Sequence, residues 1–148
     1  MAAIDVLMPV RDGMPFLLEA IESIRAQTFT DWRLLVLDHG SSDGSLELAR
    51  WRAEGDKRIS VFSCPEAKSL AALRNIGLSK CDCRHLMLQD ADDISFANRM
   101  ELTACTFAAA PDLLAVGGEA VVIDTYGKRH GHLRMPAEPE AVAAASFF

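Results

Sequence analysis

No apolar run in this sequence approaches the ~20 residues that a membrane-spanning helix requires, so no membrane span is expected. No secretory leader is visible, and the four cysteines, Cys64, Cys81, Cys83 and Cys105, stand at spacings that match no zinc pattern. Reduced thiols and a cytoplasmic setting are the expectation. Cys81-x-Cys83 lacks the second pair or the histidine couple that a soft-metal site would need. A basic stripe is missing too, and a net charge of -6 argues against a nucleic-acid partner. A dinucleotide-binding domain would carry a glycine fingerprint after its first strand, and Arg11-Asp12-Gly13-Met14-Pro15 does not supply it. Internal repeats and low-complexity segments are likewise lacking.

What is present suits a single globular domain with one core: 148 residues, 50% of them apolar and 24% charged. The first ten residues hold a dense apolar run, 4–10, that predicts a strand covered on both faces. Arg11-Asp12-Gly13 makes a turn. From Pro15, placed at the first helical position, Phe16, Leu17, Ala20, Ile21 and Ile24 form one helical stripe. A second strand over 33–38 ends in His39-Gly40-Ser41-Ser42-Asp43-Gly44, and a helix follows over 45–54. Residues 59–62 read as a short strand, 70–77 as a third helix with Arg74 and Asn75 near its middle, and 86–88 as a fourth strand. Strands separated by helices are most simply parallel with right-handed crossovers, which makes a doubly wound α/β sheet.

That fourth strand ends in the most informative stretch, Gln89-Asp90-Ala91-Asp92-Asp93. An apolar run stopping on three carboxylates looks like a buried strand delivering acids to a sheet edge. Acids this crowded repel one another, and a hard divalent cation shared with a phosphate is the simplest relief. A solvated loop with a helix cap is the competing reading. Asp38 likewise has two readings, a turn-forming side chain before Gly40 or an acceptor for a base or ribose group. A helix–loop–helix calcium site is disfavoured by Ile94 and Ser95, where an oxygen ligand and a glycine would be wanted. An aspartyl-phosphate phosphohydrolase would place its acids on the first strand, not the fourth.

Beyond Asp93 a helix is expected over 97–109, ended by Pro111. Residues 113–124 read as one long or two short strands broken at Gly117-Gly118, with Glu119 inside a strand. Residues 126–129 read as a turn, and 138–145 as a short alanine-rich helix. His130-x-His132 has the spacing of metal ligands on a strand, although a polar turn is preferred.

Five pieces in this order, residues 4–13, 21–28, 31–45, Ala72-Leu73-Arg74-Asn75-Ile76-Gly77 and Leu88-Gln89-Asp90-Ala91-Asp92-Asp93, resemble the nucleotide-binding half of family 2 glycosyltransferases with the GT-A fold. The resemblance runs from residue 4 to about 125 and implies an open, mostly parallel doubly wound sheet of Rossmann-like type. It implies a nucleoside-diphosphate sugar as substrate, a UDP-sugar above all, and a Mn or Mg cofactor. By the same resemblance Pro9, Val10 and Arg11 lie against the nucleoside, Asp38 bonds the base, and Arg74 sits near base and phosphates. Asp90 turns toward the ribose and shares the metal with Asp92, while Asp93 caps the next helix or supports the loop.

Two residues depart from the family pattern: His39 where a second acid is frequent, and Arg11 where an aromatic is common. Residues 4–93 are then the donor-binding half and 94–148 the start of an acceptor-side region. The catalytic base is expected to lie outside this chain, with Glu119 a remote candidate. The acceptor, a glycan or lipid-linked hydroxyl, is unknown from sequence. An open apolar edge and Phe147-Phe148 predict self-association into a homo-oligomer. The alternative in another class is a non-catalytic nucleotide-binding module derived from such an enzyme.

Overall fold

The computed structural model describes residues 3–134, and the helix expected over 138–145 lies outside the described residues. The chain divides after Leu102 into two compact units, Met1–Leu102 and Thr103–Phe148.

The first unit is a sheet of β1 (Ile4–Val10), β2 (Trp32–Asp38), β3 (Ile59–Ser63) and β4 (His85–Leu88), with helices α1 (Leu17–Arg25), α2 (Ser45–Glu54) and α3 (Leu70–Leu78) between them. All pairs are parallel and the spatial order is β3-β2-β1-β4. Alternation along the central strands explains why both faces are apolar. Ile4, Val6, Met8 and Val10 of β1, with Trp32, Leu34 and Val36 of β2, meet Leu17, Ala20, Ile21 and Ile24 of α1 and Ala49 of α2. Leu7, Leu35 and Leu37 point the other way, to Leu73 of α3 and to Cys64 and Ala67. The expected core is thus split by the sheet into two clusters. The chain steps outward through β1, β2 and β3 with its helices on one face, then returns to β4 with α3 on the other. Reversing direction and face together keeps the crossovers of one hand. The reversal falls between β1 and β4, and in such sheets ligands bind outside the carboxyl ends of the strands at that point.

Gly77 is needed where α3 lies closest to the sheet. A Cβ there would sit 2.5 Å from Leu37 Cδ1 and 3.0 Å from Leu7 Cδ2. At the amino end of the sheet the register partners Asp5 and Arg33 form a bidentate ion pair, with both contacts 2.8 Å. Burial pushes the Asp5 carboxyl up, but the hydrogen bonds from Arg33 and its other donors outweigh this and hold it below the usual range. On the other side, Asp56 accepts from Arg58 Nη2 at 2.7 Å and from Arg25 Nε at 3.3 Å, while the Arg58 guanidinium stacks 3.8 Å from the Trp32 ring centre. Hydrogen bonds from Arg58 lead in pulling the Asp56 carboxyl down to about 2.

Several boundaries differ from the sequence expectations. Pro15 is not at the first helical position: the Gly13 carbonyl accepts from Phe16 and Leu17 N–H, closing a turn before α1 begins at Leu17. Strand β2 starts one residue early, at Trp32. Strand β4 is an edge strand covered on one face only, with Met87 buried but Leu86 and Leu88 exposed, so it is not the fully buried strand its apolar run suggested.

Helix α4 (Arg99–Ala109) begins two residues later than expected, the Ala97 carbonyl instead accepting from Thr28 N–H. In the second unit, residues 113–119 form no strand, and β5 (Ala120–Ile123) pairs antiparallel with β6 (Arg129–Leu133). Glu119 therefore lies before β5, exposed, not inside a strand. The turn between them is closed by Asp124, whose Oδ1 accepts from Tyr126 and Lys128 N–H, with Gly127 at φ 78. None of the described residues 103–134 is buried.

Candidate functional site

The loops that leave β1 and β2 at their carboxyl ends are knitted together by short polar side chains. Asp12 N–H donates to Ser41 Oγ at 3.0 Å, Gly13 N–H to Ser45 Oγ at 2.9 Å and Met14 N–H to Asp43 Oδ2 at 2.8 Å. In return Ser42 N–H donates to Asp12 Oδ1 at 2.8 Å, with Asp12 at φ 50. The hydrogen bond from Ser45 Oγ, 2.6 Å long, leads in holding the Asp43 carboxyl below the usual range. Glycine at position 40 follows from its φ of 70, in the left-handed region.

These loops and the start of α3 enclose a cleft of about 360 Å³ lined by Pro9, Val10, Arg11, His39, Lys68, Ser69, Leu70 and Leu73. The sequence-predicted residues Pro9, Val10 and Arg11 are thereby brought together. Asp38 is at the rim of the same loop but only 1% exposed. Its carboxylate accepts from Gly40 N–H at 3.1 Å and from Ser41 N–H at 3.3 Å, so the turn-forming reading is realised. A carboxylate has about four lone-pair positions, and two backbone donors leave others open. His39 Nε2 meets the Ala67 carbonyl, joining this loop to the entry of α3. Ser69 caps α3 by accepting from Ala72 N–H at 3.1 Å.

Lys68 and Ser69 are lining residues that sequence reasoning missed. The signal available for Ser69 was a serine immediately before the periodic apolar run of α3; none marked Lys68.

At the end of β4 the acidic turn is exposed at Asp90, Asp92 and Asp93 in its outward side chains, with Asp93 N–H closing on the Asp90 carbonyl at 3.3 Å. Arg74, from the middle of α3, reaches Asp90 Oδ1 at 3.4 Å. The structure therefore joins two sequence-predicted residues that lie 16 positions apart. Asp93 does not cap α4; the Gln27 side chain does, its Oε1 accepting from Met100 N–H at 2.9 Å. Although Asp93 is exposed as a residue, desolvation of its carboxyl against the turn comes first, and then the charges of Asp92 and Asp90, in pushing that carboxyl up.

The residues fit the hard divalent cation that the resemblance implies. Asp90 and Asp92 carry the carboxylate oxygens that such an ion prefers, and both are exposed at the end of β4. Among the described residues no three His, Cys, Asp or Glu side chains converge into a metal cage. One or two carboxylates completed by substrate phosphates and water is the manner in which Mg-like ions are held. His130 and His132 lie on β6 and not in the polar turn that the sequence favoured, and His130 Nε2 pairs with Asp124 Oδ2 at 2.7 Å across the hairpin.

A parallel sheet reversing between β1 and β4, with polar loops at both carboxyl ends, defines a doubly wound α/β domain. The chain belongs to glycosyl transferase family 2, whose model matches residues 5–144. EpsE of Bacillus subtilis (strain 168), which carries a glycosyltransferase name, is 32% identical over 93% of this chain and 49% of its own length. The Escherichia coli UDP-Glc:alpha-D-GlcNAc-diphosphoundecaprenol beta-1,3-glucosyltransferase WfgD is 32% identical over 67% of this chain and 38% of its own.

Among solved structures, the mannosyltransferase PcManGT from Pyrobaculum calidifontis, in complex with GDP-Man and Mn2+, superposes with a TM-score of 0.68 at 21% identity. It is covered over 36% of its length, and this chain over 83%. TarS 1-349 of S. aureus in complex with UDP-GlcNAc gives 0.64 at 17% identity, with 72% of this chain and 31% of that one covered. At these identities the two likenesses establish the fold. The chain spans half or less of the length of these relatives. Within the described residues no helix is long and apolar enough to cross a membrane.

Proposed function

We propose that this chain is the donor-binding part of a metal-dependent family 2 glycosyltransferase using a nucleoside-diphosphate sugar, with UDP-sugars first among them. The observation that carries the proposal is the Arg74–Asp90 contact at 3.4 Å, which ties the acidic turn at the carboxyl end of β4 to α3, the helix whose first residues line the Pro9–Arg11 cleft. The family membership and the UDP-GlcNAc and GDP-Man complexes of the neighbouring structures support it.

In this reading Pro9, Val10 and Arg11 line the nucleoside, and Asp38 shapes the loop and bonds the base with its remaining acceptor capacity. Arg74 neutralises diphosphate charge. Asp90 and Asp92 hold Mn or Mg, which when bound supplies Lewis-acid neutralisation of the leaving diphosphate. Transfer forms a bond from the acceptor oxygen to the anomeric carbon and breaks that carbon's bond to the diphosphate oxygen, with inversion. The acceptor proton passes to a base that no described residue is assigned. The acceptor is a glycan or lipid-linked hydroxyl in polysaccharide assembly, and the setting is cytoplasmic. Self-association through the open edge of the sheet completes the proposal; Phe147-Phe148, the other basis for it, lie outside the described residues.

Calorimetric titration of UDP, GDP and CDP with and without Mn tests the donor site. UDP binding that strengthens with Mn, and that loses this Mn-dependent gain in Asp92→Ala, is the expected result. Failure of all three nucleotides to bind in the presence of metal would sink the reading. A clean monomer in gel filtration would remove the self-association.

A further inference from the structure

Gln89 stands between β4 and the acidic turn, and its side chain is enclosed at 1% exposure. One amide holds both ends of the turn: Nε2 donates to the Asp90 carbonyl at 3.2 Å and to the Asp93 carbonyl at 2.8 Å. Its Oε1 accepts from Ser95 Oγ at 2.6 Å and from Arg99 Nη1 at 2.9 Å. Arg99 Nη1 also donates to Ser95 Oγ at 2.9 Å, and Nη2 donates to the Leu88 carbonyl at 3.3 Å. Ser95 N–H is fixed in turn to Ser23 Oγ of α1 at 3.0 Å, and Gln89 N–H to the Leu7 carbonyl of β1 at 3.0 Å. The backbone of the acidic turn is therefore fastened from beneath to elements of the buried core.

Such a network has a consequence for the exposed carboxylates above it. Buried polar networks that are fully satisfied rigidify what they hold, and partly satisfied ones are costly. An apolar residue at position 89 would fill the space but take away the side-chain donor to the Asp93 carbonyl, one of the two donors to the Asp90 carbonyl and the acceptor of the Ser95 hydroxyl. We propose that Gln89, held by Ser95 and Arg99, is a positioning residue that sets the spacing of the Asp90 and Asp92 carboxylates for a divalent cation shared with a diphosphate. This rests on the donor-site reading above. Gln89 touches neither metal nor nucleotide; it acts through the turn.

The test is UDP affinity with and without Mn, together with the Mn electron paramagnetic resonance spectrum, on the wild-type chain, Gln89→Leu and Ser95→Ala. In Gln89→Leu the Mn-dependent gain in UDP affinity falls by about 10- to 100-fold. UDP affinity without metal is unchanged, and the bound-Mn lines broaden. Ser95→Ala, which leaves the turn's own bonds in place, shifts the same quantity in the same direction by a smaller factor and serves if Gln89→Leu does not fold.

Wild-type Mn-dependent affinity in both variants overturns the positioning role and leaves the donor site standing. A parallel fall with and without metal also overturns it, since that is what general loosening would give. No Mn-dependent affinity in the wild type overturns the donor-site reading and this inference with it.

Discussion

Replacing Gly77 by alanine sets two opposing terms against each other. In a helix interior alanine is favoured over glycine by about 1 kcal/mol. Against that, the new Cβ would lie 2.5 Å from Leu37 Cδ1 and 3.0 Å from Leu7 Cδ2, where carbon atoms normally rest about 3.5–4.0 Å apart. Both leucines are 0% exposed, on neighbouring strands beneath α3, so neither has open space to rotate into. Overpacking of this kind costs about 1–3 kcal/mol. The net expectation is a loss of about 1 kcal/mol, measured by urea unfolding monitored by circular dichroism.

A double-variant cycle isolates the cause. Leu37→Ala alone costs about 2–5 kcal/mol. With Leu37 shortened, Gly77→Ala becomes neutral or stabilising, a coupling of at least about 1 kcal/mol. Gly77→Ala raising stability in the wild-type background, or strict additivity with Leu37→Ala, refutes close helix-to-sheet approach as the reason for this glycine. Since Arg74 precedes Gly77 by one turn, Gly77→Ala is also expected to weaken UDP binding where the exposed control Ala71→Gly does not.

Arg33→Met leaves the Asp5 carboxylate, 0% exposed, without its bidentate partner and lowers stability by about 3 kcal/mol at neutral pH. The deficit narrows toward pH 4, and a loss below about 1 kcal/mol would count against the pair's importance. Asp56, drawn down from 3.8 to about 2, contributes stability that is fully present above its unfolded value and lost as pH falls through about 2. Asp56→Asn should therefore cost about 2 kcal/mol at pH 7 and much less near pH 2, and an equal cost at both refutes the assignment. Burial leads in raising the Cys81 thiol to about 11, whereas Cys105 is exposed. Maleimide at neutral pH should label Cys105 first, and early labelling of Cys81 would contradict its enclosure.

Much of the first unit was legible because its strands are continuous apolar runs and its helices carry a one-sided stripe. The ends of β1, β2, α2 and α3 fall at or within a residue of where those patterns stop. Pattern reading went wrong where partners decide the structure. The apolar run of β4 does not say that it is an edge strand with Leu86 and Leu88 uncovered. Residues 113–119 had strand-like composition, but β5 finds its partner β6 only from Ala120 onward. In the site, Asp90, Asp92 and Arg74 were visible as motifs, and their approach was implied by resemblance. The Gln89, Ser95 and Arg99 network was not, since three polar residues in a loop and a helix start carry no periodicity. Gln27 is the same case: its capping of α4 joins residues 73 positions apart, beyond any local signal.

The most direct measurement is a crystal structure of the chain soaked with UDP and Mn, with anomalous diffraction locating the ion. The account predicts Mn bound between Asp92, Asp90 and the diphosphate, with the uridine against Pro9, Val10 and Arg11. Mn elsewhere, or a nucleotide bound away from the carboxyl ends of β1 and β4, would contradict it.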